Sequence, residues 1–149
     1  MIHWFTGQAG HGKTVLAKLL MEKLNQRDDE NFKYVAAFHI DGDDLREIFN
    51  NKDYSKEGRL KNVLLAQNLA HFLHNKGCNV VVSLVSPYRE QREEFKEKLR
   101  GDIVEYYVHT TETRGRENFH VDYESPENNF IDIDTTNITP EETLKIITI

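Results

Sequence analysis

The sequence contains a single cysteine, Cys78, among its 149 residues. One thiol excludes a disulfide or a cysteine-based metal site within the chain, and it fits a reducing cytoplasm. We expect Cys78 to be a small buried side chain near the start of a strand. No apolar run approaches the roughly 20 residues that a membrane-spanning helix needs, and no signal peptide precedes the first predicted strand. The sequence therefore predicts a cytoplasmic protein without a membrane partner.

The sequence also lacks an excess of basic over acidic residues, internal repeats and low-complexity segments. The formal net charge is −6, which argues against non-specific nucleic-acid binding. The seven histidines form no obvious ligand cluster, and only His71 and His74, three apart on a predicted helix, have the spacing of a metal-binding pair. The length is that of one domain, residues 1–149, with a composition that is ordinary for a globular protein.

The most specific pattern present is Gly-x-x-x-x-Gly-Lys-Thr at residues 7–14. It follows a short apolar run and opens an amphipathic stretch, which is the strand–loop–helix context of a phosphate-binding loop, or P-loop. Backbone N–H groups and the start of the helix would bind the phosphates, Lys13 would reach the β- and γ-phosphates, and the Thr14 hydroxyl would bind Mg²⁺. The alternative is a glycine turn before an ordinary helix. The predicted ATP-binding residues are Gly7, Gln8, Ala9, Gly10, His11, Gly12, Lys13 and Thr14.

Apolar strands and amphipathic stretches alternate along the whole chain. The pattern predicts strands at 2–5, 34–40, 79–85, 103–108 and 130–134, and helices at 13–26, 45–49, 56–75, 90–100 and 140–147. This alternation indicates a three-layer α/β fold of the P-loop NTPase type with a five-stranded parallel sheet. Ligands of such sheets bind beyond the carboxyl ends of the strands, so we expect loops 6–14, 41–46, 86–89 and 109–129 to converge on one site. Segment 109–129 has no clear period, which is typical of a lid.

Four further motifs follow the P-loop at defined spacings. They are Asp41-Gly42-Asp43-x-x-Arg46, Arg59-x-x-Asn62, Ser86-Pro87-Tyr88-Arg89, and Arg92. Together with the P-loop they resemble adenylylsulfate (APS) kinase from residue 2 to about residue 147. The resemblance implies transfer of the γ-phosphoryl group of ATP to the 3′-hydroxyl of APS, giving 3′-phosphoadenylylsulfate (PAPS) and ADP.

Asp43 is the predicted catalytic carboxylate, together with Lys13 as the catalytic cation. It ends the second strand, where it can accept the proton of the attacking hydroxyl or hold water around Mg²⁺. The resemblance implies a catalytic role for Asp43, whereas the alternative is that it only caps a helix. We expect Asp41 to order the loop or more distant waters.

The remaining candidates concern the acceptor. Arg46 and Arg59 supply the local cations that an acidic protein needs for a phosphosulfate, although either could be a surface ion pair. The resemblance implies that Asn62 binds the APS nucleotide, and that Tyr54 and Phe119 stand where two phenylalanines sandwich the adenine. We expect Ser86, both backbone and side chain, to approach the anion, and Arg89 and Arg92 to hold the loop or lid. The predicted substrate-binding residues are Asp43, Arg46, Tyr54, Arg59, Asn62, Val85, Ser86 and Phe119.

The lid departs from the pattern of this family. A basic segment resembling Lys-Gly-Leu-Tyr-Lys-Lys-Ala is missing, and residues 64 and 65 are leucine where the family often has arginine. Since a shorter lid excludes water less well, we hypothesise that Arg114 and Arg116 replace the lost lysine. The altered lid also leaves open another nucleotide or small hydroxyl acceptor.

The sequence thus predicts an ATP- and Mg²⁺-dependent small-molecule kinase acting on APS. The alternatives are a gluconate- or nucleotide-type kinase on the same scaffold, and a nucleotide-binding domain that has lost catalysis. The resemblance also suggests a homodimer.

Overall fold

A computed structural model describes residues 1–26 and 36–147 of the chain. Five parallel strands form one sheet in the order β2-β3-β1-β4-β5, which confirms the predicted α/β class. The strands are β1 (Ile2–Thr6), β2 (Ala37–Asp41), β3 (Asn79–Ser83), β4 (Ile103–His109) and β5 (Ile131–Asp134). The helices are α1 (Lys13–Asn25), α2 (Gly42–Ile48), α3 (Lys56–Asn75), α4 (Arg89–Leu99) and α5 (Pro140–Ile146).

Apolar side chains on the two faces of the sheet form two separate cores. Ile2 and Trp4 of β1 pack with Val63 of α3 and Phe95 of α4, whereas Phe5 of β1 packs on the opposite face, in the core that contains side chains of α1. Because successive residues of a strand point to opposite faces, strands covered on both sides must be apolar throughout. Strand β3 accordingly is buried from Val80 to Ser83. The result is a helix–sheet–helix sandwich.

The ends of α3 and α5 follow the signals in the sequence. The Ser55 hydroxyl caps α3 by accepting a hydrogen bond from the Gly58 amide (3.3 Å), and the chain leaves the helix at Gly77, whose φ is 85°. The Thr139 hydroxyl likewise accepts from the Glu142 amide (3.1 Å) at the start of α5. A side-chain oxygen at this position satisfies an N–H group that has no partner within the helix.

Four local predictions differ from the structure. Helix α2 begins at Gly42 rather than residue 45, because Asp41 caps it, and β3 ends at Ser83 rather than residue 85. The predicted strand β2 reached back to residue 34, but its first two residues lie outside the described part, and the strand begins at Ala37. Cys78, which we expected to be buried, is partly exposed.

The order of the strands brings the carboxyl ends of β1, β2 and β3 side by side. Ser83 is the register partner of both Phe5 and Asp41, so the loops after these three strands start from adjacent positions. The segment after β4 contains a short 3₁₀ turn, Glu117–Phe119, and packs over the same edge of the sheet. Within residues 1–26 and 36–147, no helix has the length and apolar character needed to cross a bilayer.

Candidate active site

The P-loop connects β1 to α1 and leaves the first turn of the helix open to an anion. A Cβ on Gly7 would lie 2.1 Å from the carbonyl oxygen of Val108, so only glycine fits there. Gly12 precedes α1 with φ 104° and provides no side-chain cap. The first N–H groups of α1 therefore have no side-chain acceptor among the described residues, and unpaired groups at the start of a helix favour phosphate binding.

Lys13 lies at the base of the P-loop and is 7% exposed. Its Nζ donates to the carbonyl oxygen of Gln8 (2.7 Å). Burial lowers the pKa of Lys13 to about 8, although Asp41 and Asp43 act in the opposite direction. A buried ammonium with one protein acceptor keeps donor hydrogens for an anionic ligand.

Asp41 connects three elements at the centre of the site. Its Oδ1 accepts hydrogen bonds from the hydroxyls of Thr14 (3.0 Å) and Ser83 (2.7 Å), and its Oδ2 accepts one from the Asp43 amide (3.2 Å). The expectation that Asp41 orders the loop is confirmed. The alternative in which Asp43 is the helix cap is wrong, because Asp41 caps α2. The Thr14 hydroxyl gives its hydrogen to Asp41, so its lone pairs remain available to a cation.

A cleft of about 680 Å³ opens above the P-loop. It brings together most of the residues that the sequence singled out, from both the ATP and the acceptor sets. Gly7, Gln8, His11 and Gly12 do not line it. The predicted residues that line it are Ala9, Gly10, Lys13, Thr14, Asp43, Arg46, Tyr54, Arg59, Asn62, Val85, Ser86 and Phe119.

The two acceptor-side arginines differ in their surroundings. Nη1 of Arg46 donates to the carbonyl oxygens of Asn51 (3.1 Å) and Asp53 (3.0 Å), and its guanidinium carbon lies 4.1 Å from the centroid of the Tyr54 ring. Arg59 makes no side-chain hydrogen bond to any residue that the structure describes. Neither arginine forms an ion pair within this part of the chain, so the reading of either as a surface ion pair finds no support.

Asn62 and Ser86 both line the cleft but differ in the groups that they leave unbonded. Asn62 Nδ2 donates to the Gly42 carbonyl oxygen (3.4 Å), while its buried Oδ1 accepts no hydrogen bond from described residues. The Ser86 hydroxyl accepts from Trp4 Nε1 (3.0 Å) and donates to Thr6 Oγ1 (3.0 Å). The expectation that the Ser86 side chain approaches the anion is wrong, because the hydroxyl points into the core.

Arg89 and Arg92 hold the last part of the lid segment 109–129. Arg89 Nε donates to the carbonyl oxygen of Ser125 (2.7 Å). Arg92 donates to the carbonyl oxygens of Ser86 and Glu124 and pairs with the buried carboxylate of Glu105. The expectation that these two arginines hold the loop and lid is confirmed.

The lid contacts the P-loop through side chains that the sequence did not reveal. The Gln8 amide makes two hydrogen bonds to the backbone of Val121, donating to its carbonyl oxygen (2.6 Å) and accepting from its amide (3.0 Å). His120 Nε2 donates to the Ala9 carbonyl oxygen (3.1 Å). These contacts join residues more than 100 positions apart, so no local pattern predicts them.

Arg114 and Arg116 were hypothesised to replace the missing basic segment, and only one of them lines the cleft. Arg114 donates to the carboxylate of Glu112 and to the carbonyl oxygens of His11 and Thr135. Arg116 packs against Gly10, where a Cβ would lie 2.8 Å from the Arg116 Cβ, and it borders the cleft. The geometry therefore favours Arg116 over Arg114 as the replacement.

His11 lies beneath these lid contacts. Its Nδ1 is buried and finds no partner in the described part of the chain. Burial, followed by the nearby His120 and Lys13, lowers the pKa of His11 to about 4. The imidazole is therefore neutral at pH 7.

Known proteins resemble this chain in both sequence and fold. The family profile described as adenylylsulphate kinase matches residues 1–133. A cytidine diphosphoramidate kinase of Campylobacter jejuni is 35% identical over 107 residues, which are 72% of this chain and 59% of that protein. A probable adenylyl-sulfate kinase of Pyrococcus abyssi is 30% identical and is aligned over 97% of this chain and 90% of its own length.

A solved structure gives the same picture of the fold. The Mycobacterium tuberculosis APS kinase in complex with AMPPNP and APS superposes with a TM-score of 0.78 at 24% identity, covering 97% of this chain and 93% of that one. A Sinorhizobium meliloti gluconokinase superposes less well, with a TM-score of 0.66 at 15% identity over 96% and 86% of the two chains. The profile match and the Pyrococcus relative establish the family, and this chain belongs to the adenylylsulphate kinase family.

Proposed function

We propose that this chain transfers the γ-phosphoryl group of ATP to the 3′-hydroxyl of a nucleotide acceptor, with APS as the leading candidate. One observation carries the proposal. A single cleft is lined both by P-loop residues, including Lys13, and by the acceptor-side residues Arg59, Asn62 and Tyr54. Phosphoryl transfer requires donor and acceptor to share one site because catalysis rests on positioning and charge stabilisation.

The chain's own side chains divide the task between them. The P-loop amides and Lys13 bind the β- and γ-phosphates, and Asp43 accepts the proton of the attacking hydroxyl. Arg59 neutralises the acceptor's anionic group, and the unpaired Asn62 Oδ1 accepts a hydrogen bond from the nucleotide. Tyr54 and Phe119 stack on the base. The side chains given these roles all border the cleft.

Mg²⁺ fits the residues at the P-loop. The Thr14 hydroxyl keeps its lone pairs free, and the Asp43 carboxylate has no side-chain partner among the described residues. Hydroxyl and carboxylate oxygens are the ligands that Mg²⁺ prefers. Thr14 would hold the ion directly and Asp43 would hold it through water. When bound, the ion neutralises charge that develops on the transferring phosphoryl group.

A second acceptor is favoured by one specific comparison. The Campylobacter relative, which is 35% identical, is named a cytidine diphosphoramidate kinase, and this chain lacks the basic lid segment. A cytidine diphosphate derivative would bring the same 3′-hydroxyl and an anionic 5′ group to the same wall of the cleft. We therefore propose a cytidine diphosphate derivative as the alternative acceptor.

A coupled ADP-release assay separates these functions. The purified chain is supplied with Mg-ATP and with APS, cytidine diphosphoramidate or no acceptor, and Lys13→Met serves as the inactive control. APS-dependent turnover with a 3′-phosphorylated product supports the proposal, and turnover with the cytidine compound alone supports the second candidate. ATP binding without turnover on either would leave a non-catalytic nucleotide-binding domain. The single kinase domain over residues 1–149, the homodimer and the cytoplasmic location stay predictions.

A further inference from the structure

The loop between α2 and α3 is held in one path by its own side chains. Asn51 Oδ1 accepts from the Asp53 amide (3.0 Å), and Asn51 Nδ2 donates to the Gly58 carbonyl oxygen (3.1 Å). A Cβ on Gly58 would lie 2.1 Å from the Asp53 carbonyl oxygen, so the loop lies directly on the first turn of α3. Tyr54 is the residue that this path leaves at the cleft, with 62% of its surface exposed.

Arg46, at the end of α2, covers one face of that ring. Its guanidinium carbon lies 4.1 Å from the ring centroid, within the range of a cation–π contact. Its Nη1 has three acceptors within 3.3 Å: the carbonyl oxygens of Asn51 and Asp53 and Asn51 Oδ1. Because Nη1 carries two hydrogens, this end of the guanidinium is fully used by the loop.

Arg59 also lines the cleft but differs from Arg46 in its contacts. It borders the cleft, and its guanidinium has no hydrogen bond or ion pair with any residue in ranges 1–26 and 36–147. A guanidinium without a protein partner keeps all five N–H donors for an anionic ligand. The two arginines thus differ in what they can still bind.

We propose that Arg46 is a positioning residue that fixes the Tyr54 ring, and that Arg59 supplies the charge for the acceptor's anionic group. Arg46 covers one face of the ring and holds the loop at Asn51 and Asp53, immediately before Tyr54, so the opposite face of the ring is left for a flat base. Lysine cannot replace Arg46, because an ammonium has no planar face that could stack on the ring while its N–H groups bond the loop. The inference rests on the proposed function, since it assigns roles within the same acceptor site.

The lid repeats this arrangement. The Arg116 guanidinium carbon lies 4.9 Å from the Phe119 ring centroid, and the Phe119 amide donates to the Arg116 carbonyl oxygen (3.0 Å). Phe119 is also exposed and borders the cleft. Tyr54 and Phe119 therefore each have an arginine on one side of the ring. This repetition supports a role for arginine in orienting rings rather than in binding the anion alone.

Steady-state kinetics of paired variants test the assignment. Arg46→Met, Arg46→Lys, Tyr54→Ala and the double variant Arg46→Met/Tyr54→Ala are measured with whichever nucleotide supports turnover. Loss of the stacked ring raises the acceptor KM by about fivefold or more. We expect Arg46→Lys to be as impaired in KM as Arg46→Met, kcat to change much less, and the double variant to be no worse than Tyr54→Ala. Additive effects in the double variant, or rescue by lysine, would overturn the proposal.

Arg59→Met and Arg59→Lys are the matched controls. An anion contact weakens with added salt and is partly restored by another cation, whereas a stacking contact depends little on salt. We therefore expect the KM effect of Arg59→Met to shrink at high salt, to be partly rescued by lysine, and to add to that of Tyr54→Ala. The same behaviour at Arg46 would show that Arg46 is the anion ligand instead.

A second measurement keeps this inference separate from the proposed function. Amide hydrogen exchange over residues 50–55 requires neither acceptor nor turnover. Faster exchange in both Arg46 variants, with wild-type exchange in Arg59→Met, is expected if Arg46 orders the loop. Unchanged exchange in the Arg46 variants would refute the inference even in an active kinase. Faster exchange in a chain that phosphorylates no acceptor would leave the loop assignment standing and remove the kinase proposal.

Discussion

Substitution of Arg92 by methionine should destabilise the fold more than any change to a surface ion pair. Arg92 on α4 and Glu105 on β4 are 3% and 2% exposed, and Arg92 Nε lies 3.1 Å from Glu105 Oε2. The other carboxylate oxygen lies 2.9 Å from Lys96 Nζ. Removing the guanidinium leaves a buried carboxylate with one cation instead of two, and it also removes the donors to the carbonyl oxygens of Ser86 and Glu124.

The expected loss of unfolding free energy follows from the burial of this pair. Breaking a buried ion pair by removing one partner typically costs about 3–5 kcal/mol. Native domains have only about 5–15 kcal/mol in total, so the variant should be close to the limit of folding. For a chain of this length the melting temperature would fall by about 6–20 °C.

Urea denaturation followed by circular dichroism measures this loss. Lys61→Met is the control, because the Lys61–Glu57 pair is 72% and 79% exposed and exposed pairs contribute about 0–1 kcal/mol. The double variant Arg92→Met/Glu105→Gln should recover part of the loss, since it removes the unpaired buried charge. A loss below about 1 kcal/mol in Arg92→Met would refute the reasoning that this pair connects α4, β4 and the lid.

Three further predictions concern the site. Asp43→Asn should lower kcat by about 10²–10⁴ without lowering the melting temperature. Asp41→Asn should lower the melting temperature, because the Asp41 carboxylate connects α1, α2 and β3. Equal melting temperatures of the two variants would contradict these separate roles. Burial is the main cause that lowers the pKa of His11 to about 4 in the folded chain. In the unfolded chain the imidazole is protonated near pH 6.5, so the free energy of unfolding decreases as the pH falls from about 6.5 to about 4. Between pH 7 and pH 5 the melting temperature of His11→Ser should therefore fall less than that of the wild type. If the melting temperatures of the two proteins fall equally, the lowered pKa of His11 is refuted. Gln8→Leu loses both hydrogen bonds to the lid backbone and should speed limited proteolysis of residues 114–121, where an unchanged rate would show that the lid is held by other contacts.

The strongest local signals predicted the fold well. The bounds of α3 match because Ser55 and Gly77 mark its ends chemically, and the P-loop follows from residue types at fixed spacing. Helix α2 was placed too late because an Asp-Gly-Asp sequence is also typical of turns. The Asp41 carboxylate decides between the two by accepting the Asp43 amide hydrogen.

The composition of the cleft was easier to predict than the direction of each side chain. Ser86 borders the cleft as expected, but its hydroxyl bonds Trp4 instead of facing the site. Its backbone has a φ of 41°. Gln8 belongs to the P-loop motif, yet its amide binds Val121 in the lid. These orientations depend on partners more than 80 positions away, and a local motif carries no information about such distant residues.

The position of β1 at the centre of the sheet has an evolutionary consequence. The ATP-binding loop leaves a central strand, whereas the acceptor-side residues from Arg46 to Asn62 all follow β2, on one flank. Mutations on that flank can therefore alter which compound is phosphorylated while the part of the site that binds the nucleoside triphosphate is inherited intact. Diversification of one half at a time would allow a single ancestor to give rise to kinases for unrelated metabolites.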